Sequence, residues 1–492
     1  MAINSLAMAA QVKAARRVGV PIVAISTADP AQTIREVSKA INGDGAKLLW
    51  DCSSGLREVF SQDEVSRNHA AKLRGEFDNT VGNPAELFRV LQAADPKTVV
   101  FVHLAHRFIG EPTVLQALWN LRDSFKVNQR MVVLLGNEFS LAAELTNDVL
   151  VIDEPLPTPD ELREIVKSVA ESADLKVSQP SVTRAVEAVQ GLSAFAAEQS
   201  VAMSLKKSGI DQDALWERKR QQIEQSPALK VFRDGQTFAD VGGCENIKQF
   251  LKRLAAGPQR PNAVVFVDEI EKAIAGQGDT SGVSQDQLGV LLTEMQDRGY
   301  DGMILIGPPG AAKSACAKSF GAECGVPTIQ LDLGGAKGSL VGQSEGQIRA
   351  AMKVIASVSN GRSIWIATCN SIGNLPPELR RRFSLGTYYF DLPTAEERAQ
   401  IWAIYLDKFS VPAESRALPP DDGWTGAEIR TCCRLAGMLA ISLQEAAGYI
   451  VPVSKSAAES VEKLRAQADG RFISASYSGV YRRQSIQPVG GE

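Results

Sequence analysis

Two short stretches carry residues suited to phosphate chemistry, and they come in an unexpected order. The stretch GPPGAAKS, residues 307–314, has the spacing of a phosphate-cradling loop. Gly307, Pro308, Pro309, Gly310, Ala311, Ala312 and Ala315 supply its backbone. Lys313 is placed to reach β- and γ-phosphates, and the Ser314 hydroxyl to take a position on Mg²⁺. Ala312 stands where a second glycine is expected, and a left-handed backbone there costs an alanine about 1 kcal/mol. The stretch VVFVDEIEKA, residues 264–273, precedes that loop instead of following it. It sets Asp268 and Glu269 after four apolar residues. Asp268 suits Mg²⁺ held through water, roughly 4–6 Å from the Ser314 hydroxyl. Glu269 suits orienting and deprotonating an attacking water.

Two further stretches add to this chemistry. SIWIATCN, residues 363–370, reads as a buried strand ending in Asn370, placed to help position the water. LPPELRRRF, residues 375–383, offers Arg380, Arg381 and Arg382. One of these three is the candidate arginine finger on a neighbour's γ-phosphate, a contribution of about 10³–10⁵ in rate in GTPases. Taken singly, an acidic strand end and a solvated arginine turn are ordinary features. Beside a phosphate loop they read as one site.

Strands that alternate with helices must position these residues. Strands are predicted at 21–25, 99–102, 131–135 and 149–152, then at 264–267, 303–306, 328–331 and 364–367. Helices are predicted at 30–41 and 113–125, a helical stretch at 160–205 broken near Ser178–Pro180, and a charged connecting helix at 213–225 with a solvated face. After Thr394 the pattern turns helical. After Gly470 it loses periodicity, which predicts a loosely packed tail. Arg465, Arg471, Arg482 and Arg483 make this end mildly basic, and solvated arginines are the expectation.

The 492 residues suffice for two or three domains. A net charge of -4 gives no sign of nucleic-acid or anionic-membrane binding. The seven cysteines are scattered, without metal-ligand spacing, as expected of free thiols in a reducing, cytoplasmic setting. His103 and His106 read as a strand-end loop rather than a metal pair. No apolar run approaches the ~20 residues of a membrane helix.

The acidic strand, the phosphate loop, DVGG (240–243), LLTEM (291–295), ATCN (367–370), PPELRRRF and TGAEI (425–429) resemble the AAA family of P-loop ATPases. FVHLAHRFI (101–109), LPTPDEL (156–162), SLVGQSEGQIR (339–349) and the stretch before FADVGG are similar to a narrower group. This is the single-AAA hypothetical reading frame of cyanobacteria and plastids. The resemblance implies an α/β fold: a parallel-sheet P-loop module with a helical lid, preceded by a degenerate ATPase-like α/β domain. It implies domains at 1–209, a linker at 210–236, the AAA α/β subdomain at 237–393, and lid plus tail at 394–492. The sequence agrees that the first sheet lacks a phosphate loop, because STADPAQ (26–32) has neither glycine nor lysine. The resemblance further implies ATP and Mg²⁺ as ligands, with Val241, Gly242, Gly426 and Ala427 bordering the nucleotide. It also implies a homo-oligomeric ring acting on a protein client. Two departures stand out: Leu340, with Lys337 nearby, fills the aromatic slot of the pore loop 334–342, and no proline or glycine separates the arginines, among which the resemblance favours Arg380 and after it Arg382 as the finger.

AAA sheets resemble one another in the strand order 5-1-4-3-2. Moving the acidic strand ahead of the loop strand changes two crossovers, and both still travel the same way across the sheet. Right-handed connections then keep their helices on one face, so the catalytic residues are expected to converge at the carboxyl edge. The reading is a permuted Mg²⁺-dependent ATPase that remodels a protein or complex. The alternative is a nucleotide-binding scaffold with little turnover. A DNA motor has the charge balance against it.

Overall fold

In a computed structural model the described residues are 5–41, 45–75, 79–137, 139, 141–233, 235–274, 283–333, 343–371, 373, 377–412 and 415–483. They form two compact units, 1–215 and 216–492. The pore-loop segment 334–342, with Lys337 and Leu340, lies outside the described residues.

The first unit contains β1 (Ile22–Ser26), β2 (Lys47–Asp51), β3 (Gly55–Glu58), β4 (Val99–Val102), β5 (Met131–Gly136) and β6 (Val149–Asp153). Their order is β3-β2-β4-β5-β1-β6, parallel except for the β2–β3 hairpin. β4 and β5 are buried along their whole length, as parallel strands covered on both faces must be. Three helices follow, Pro159–Ser172, Gln179–Val189 and Ala194–Ala202. A two-residue-strand hairpin, β7 (Leu205–Lys206) and β8 (Gly209–Ile210), comes after them.

The second unit adds β9 (Leu229–Val231), β10 (Ala263–Val267), β11 (Asp301–Ile306), β12 (Thr328–Leu331), β13 (Ser363–Cys369), β14 (Thr387–Tyr389) and β15 (Ile473–Ser474). They are ordered β15-β14-β11-β13-β10-β12-β9, and only β9 runs antiparallel. Counted from the strand that feeds each loop-to-helix turn (β1 and β11), the two sheets share one spatial arrangement. In the first, β6-β1-β5-β4-β2 is visited in the chain order 1-2-4-5-6. In the second, β14-β11-β13-β10-β12 is visited with β10 first.

Side-chain alternation divides the second sheet into two faces. Val265, Ile304, Trp365 and Ile329 pack with Leu291 and Met295 of the helix Val283–Asp297 and with Met352 and Ile355 of the helix Gln343–Ser359. Phe266, Leu305 and Ile366 pack with Phe320 of the helix Lys313–Cys324 and Leu251 of the helix Glu245–Ala256. The connections β10→β11 and β12→β13 run the same way across the sheet, and their helices lie on the same face. That is the outcome a common handedness demands.

One sequence expectation is corrected. The described residues after Gly470, 471–483, are anchored to the sheet rather than loosely packed. Phe472 and Tyr481 are buried, Ala475 N–H donates to the Tyr389 carbonyl at 3.0 Å, and the Tyr481 hydroxyl donates to Asp391 at 2.6 Å. Arg465 bonds Asp391, and Arg483 pairs with Glu462. Strand addition and two aromatic anchors need no helical period, which is why periodicity missed them. The connecting helix spans Gln212–Ile223, and Lys219 within it is buried, its ammonium 4.9 Å from the Trp216 ring centroid. Its other charged side chains, Asp213, Glu217, Arg218 and Arg220, are exposed or half-buried.

Candidate nucleotide site

The carboxyl ends of β11, β10 and β13 lie side by side, and each delivers part of the sequence-predicted set. β11 runs into the loop 307–312, and the helix Lys313–Cys324 starts at Lys313. Ala312 adopts φ 66°, ψ 10°, so the left-handed geometry is imposed on an alanine. Gly310 has φ 79°, and a β-carbon there would lie 2.8 Å from the Thr425 hydroxyl oxygen; only glycine fits.

Lys313 is buried, and its ammonium donates to the carbonyls of Gly307 and Pro308 at 2.8 and 2.7 Å. Burial pushes its pKa down to about 8, with nearby carboxylates, Glu271 first, pulling the other way. A buried ammonium with only carbonyl oxygens as partners is a cation lacking an anion.

Asp268 follows β10, and its Oδ1 accepts two hydroxyl bonds, from Ser314 Oγ at 3.0 Å and Thr368 Oγ1 at 2.6 Å. The separation expected between Asp268 and Ser314 allowed for an intervening water; the two groups bond directly instead. Thr368 also accepts the Glu269 N–H at 2.9 Å, holding Glu269 at φ 48°. Asn370 donates its side-chain amide to Glu269 Oε1 at 3.1 Å, and its backbone N–H to Glu271 Oε1 at 2.9 Å. Lys272 forms an ion pair with Glu269 Oε2.

These groups face a cavity of ≈ 310 Å³ lined by Pro309 to Ala315, Asp268, Glu269, Thr368 and Asn370. Its far wall holds Val241 and Gly242 with Ile401, Tyr405, Gly426, Ala427 and Arg430 of the helical lid. A β-carbon on Gly242 would sit 2.5 Å from Ile401 Cγ1, so this wall also depends on glycine. Ala427 N–H reaches the Gly310 carbonyl at 3.4 Å, joining the lid helix Gly426–Leu439 to the loop. Gly307 and Pro308 lie behind the loop as acceptors for Lys313. Arg380 and Arg382 belong to the helix Pro377–Arg382 and do not line the cavity; Arg380 is exposed.

Sequence reasoning missed Thr368, Glu271, Lys272, Tyr405 and Arg430. Thr368 was within reach, because a strand places residue 368 on the same side as residue 370. The lid residues carry no local motif and gain their place only from packing.

The residues fit a nucleotide with its divalent ion. The buried ammonium wants an anion, and hydroxyl and carboxylate oxygens of Ser314 and Asp268 meet beside it as hard donors. Among the described residues no pre-formed cluster of three or more His, Cys, Asp or Glu stands ready for a metal.

Comparison with known proteins agrees with this fold. Residues 8–154 match the family description "SpoVK-like AAA ATPase, N-terminal domain", and residues 160–226 match "SpoVK-like AAA ATPase, second domain". Residues 303–360 match "ATPase family associated with various cellular activities (AAA)". That last match runs from β11 through the helix after β12. The chain is also similar to the uncharacterised AAA domain-containing protein ycf46 of Guillardia theta, at 23% identity over 79% of this chain and 78% of the relative. The ycf46 proteins of Pyropia yezoensis (22%; 79% and 80% covered) and Gracilaria tenuistipitata var. liui (24%; 68% and 71% covered) are similar to it as well.

Proposed function

We propose that this chain, which belongs to the AAA family, binds ATP with Mg²⁺ at the carboxyl edge of its second sheet and hydrolyses it to ADP and phosphate. The observation that carries the reading is the convergence of Lys313, Ser314, Asp268, Glu269 and Asn370 from three adjacent strands, although the chain supplies them in permuted order.

Lys313 exchanges its two carbonyl partners for phosphate oxygens, and backbone N–H groups at the start of its helix face the same charge. Ser314 and Asp268 hold the ion. Mg²⁺ supplies neutralisation of the phosphate charge that builds up as the bond breaks. Glu269 takes the proton of the attacking water, and Asn370 and Thr368 fix its carboxylate and backbone. Val241, Gly242, Gly426 and Ala427 border the base and sugar, so closure of the lid reports the state of the nucleotide. Arg380 or Arg382, outside the chain's own cavity, serves a neighbouring subunit in a homo-oligomeric ring. Hydrolysis there drives rearrangement of a protein client in the cytoplasm. The compartment rests on seven free cysteines.

The test is phosphate release by the wild type against Glu269→Gln. Turnover that disappears in the variant while ATP binding persists supports the reading; equal release from both, or none from either, removes it. One observation favours the alternative of a nucleotide-binding scaffold: Glu269 is engaged by Lys272 as well as by Asn370, which restrains the base.

A further inference from the structure

The first unit has a cavity in the place where the second unit has its nucleotide site, and its chemistry is the opposite. It lies beyond the carboxyl end of β1, against the start of the helix Pro30–Ala40 and under the helices Pro159–Ser172 and Ala194–Ala202. Its volume is ≈ 650 Å³. Asp29, Glu36, Glu154, Asp160, Glu161 and Glu164 line it, against one cation, Arg163. Several of these carboxylates have internal duties: Asp29 caps the helix Pro30–Ala40, and Glu154 accepts the Thr33 hydroxyl at 2.8 Å. Arg163 pairs with Asp160. Glu161 closes the capping box with Thr158, Glu36 accepts the Gln32 amide at 2.8 Å, and Glu164 pairs with Lys167 of its own helix at 3.2 Å. Six carboxylates against Arg163 and Lys167 still leave the wall with an excess of negative charge. A phosphate is repelled from such a wall, and a cation is attracted.

The strand leading into the cavity is a free edge. β6 ends the first sheet, and no described strand pairs with its outer side. Glu154 N–H donates to the Ser26 carbonyl, toward β1. Backbone groups alternate along a strand, so Leu150 and Ile152 also face β1, whereas Val151 and Asp153 turn their N–H groups outward. Val149 N–H is taken by the Leu145 carbonyl. Leu150 and Val151 on this strand, Leu156 at the cavity rim and Phe195 on the helix beside it are all exposed large apolar side chains.

The second sheet shows what such an edge accepts. Its corresponding strand, β14, carries an added parallel strand, β15, from elsewhere in the same chain. The first sheet has the same arrangement with that position open.

From these observations we infer that the first unit binds an extended basic segment of a partner protein, which adds a strand to β6 and runs its lysine or arginine side chains into the acidic cavity. Main-chain bonds to Val151 and Asp153 supply the register, the apolar rim takes side chains on one face, and the carboxylates select for positive charge. The inference does not depend on hydrolysis in the second unit.

The experiment uses the full chain and two fluorescein-labelled decapeptides of alternating sequence, one pairing Val with Lys and Arg, the other pairing Val with Glu, read by anisotropy. The basic peptide binds and the acidic one does not. The double reversal Glu36→Lys with Glu164→Lys weakens binding by about tenfold or more. Val151→Pro, which removes an outward donor without touching the ladder to β1, does likewise. Hydrogen exchange on the unsubstituted protein gives the same answer without a variant, through slowed exchange of the Val151 and Asp153 amides when the basic peptide is present. Equal binding of both peptides, affinity unchanged in either variant, or unprotected β6 amides would overturn the inference.

Discussion

Ser314 and Asp268 lie 46 positions apart and meet through a 3.0 Å hydrogen bond, although the chain makes the carboxylate before the hydroxyl. Both groups are hard oxygen donors at the mouth of the phosphate loop. Asp268→Asn or Ser314→Ala should therefore weaken the dependence on Mg²⁺ far more than the affinity for ATP itself. We expect turnover to fall by about 10² or more in either variant. Calorimetric ATP titrations with and without Mg²⁺, compared with phosphate release, check this, and EDTA should reduce the wild type to the level of the variants.

Lys313 makes the fold sensitive to pH in an unusual direction. Its folded pKa is depressed to about 8, chiefly by burial, below the ordinary lysine value of 10.5. Between those values the unfolded chain binds the proton and the folded chain does not, so stability from this group rises with pH across that window and is flat below it. Nucleotide-free protein should gain stability between pH 8 and 10.5 relative to Lys313→Met, in urea melts at stepped pH. ATP affinity should move the opposite way, declining above pH 8 as the ammonium is lost.

Lys272 holds Glu269 from an exposed position, so water screens the pair and it is weak. Releasing the carboxylate by Lys272→Ala should raise kcat by no more than a few-fold, with little change in KM. A fall in kcat would instead make Lys272 part of the machinery.

Ala312 occupies a left-handed backbone that glycine adopts freely. Ala312→Gly should stabilise the nucleotide-binding unit by about 1 kcal/mol, seen as a higher thermal midpoint. ATP affinity should stay within a few-fold, because the loop already has the required shape.

Much of the site was legible because its residues sit at strand ends, where a burst of apolar residues announces the strand and the next polar residue announces the edge. Asp268 after β10 and Asn370 after β13 were read this way, and the strand order came from the resemblance to AAA sheets, the handedness of crossovers showing only that the permuted chain can keep it. Other parts were not legible, for physical reasons. β14 and β15 are short, of three and two residues, and gain stability from neighbours rather than from any pattern of their own. Tyr405 and Arg430 reach the cavity only because lid helices pack over it. Thr368 was legible in retrospect, by strand alternation alone.

β15 also sets a schedule for synthesis. Residues 1–215 hold all the strands of their own sheet and can close it while later residues are still being made. The second sheet cannot close so early: β14, next to the strand that feeds the phosphate loop, stays uncovered until residues 473 and 474 emerge and residue 481 brings its hydroxyl to Asp391. A chain that stops before that point has one finished sheet and one that still lacks its last strand.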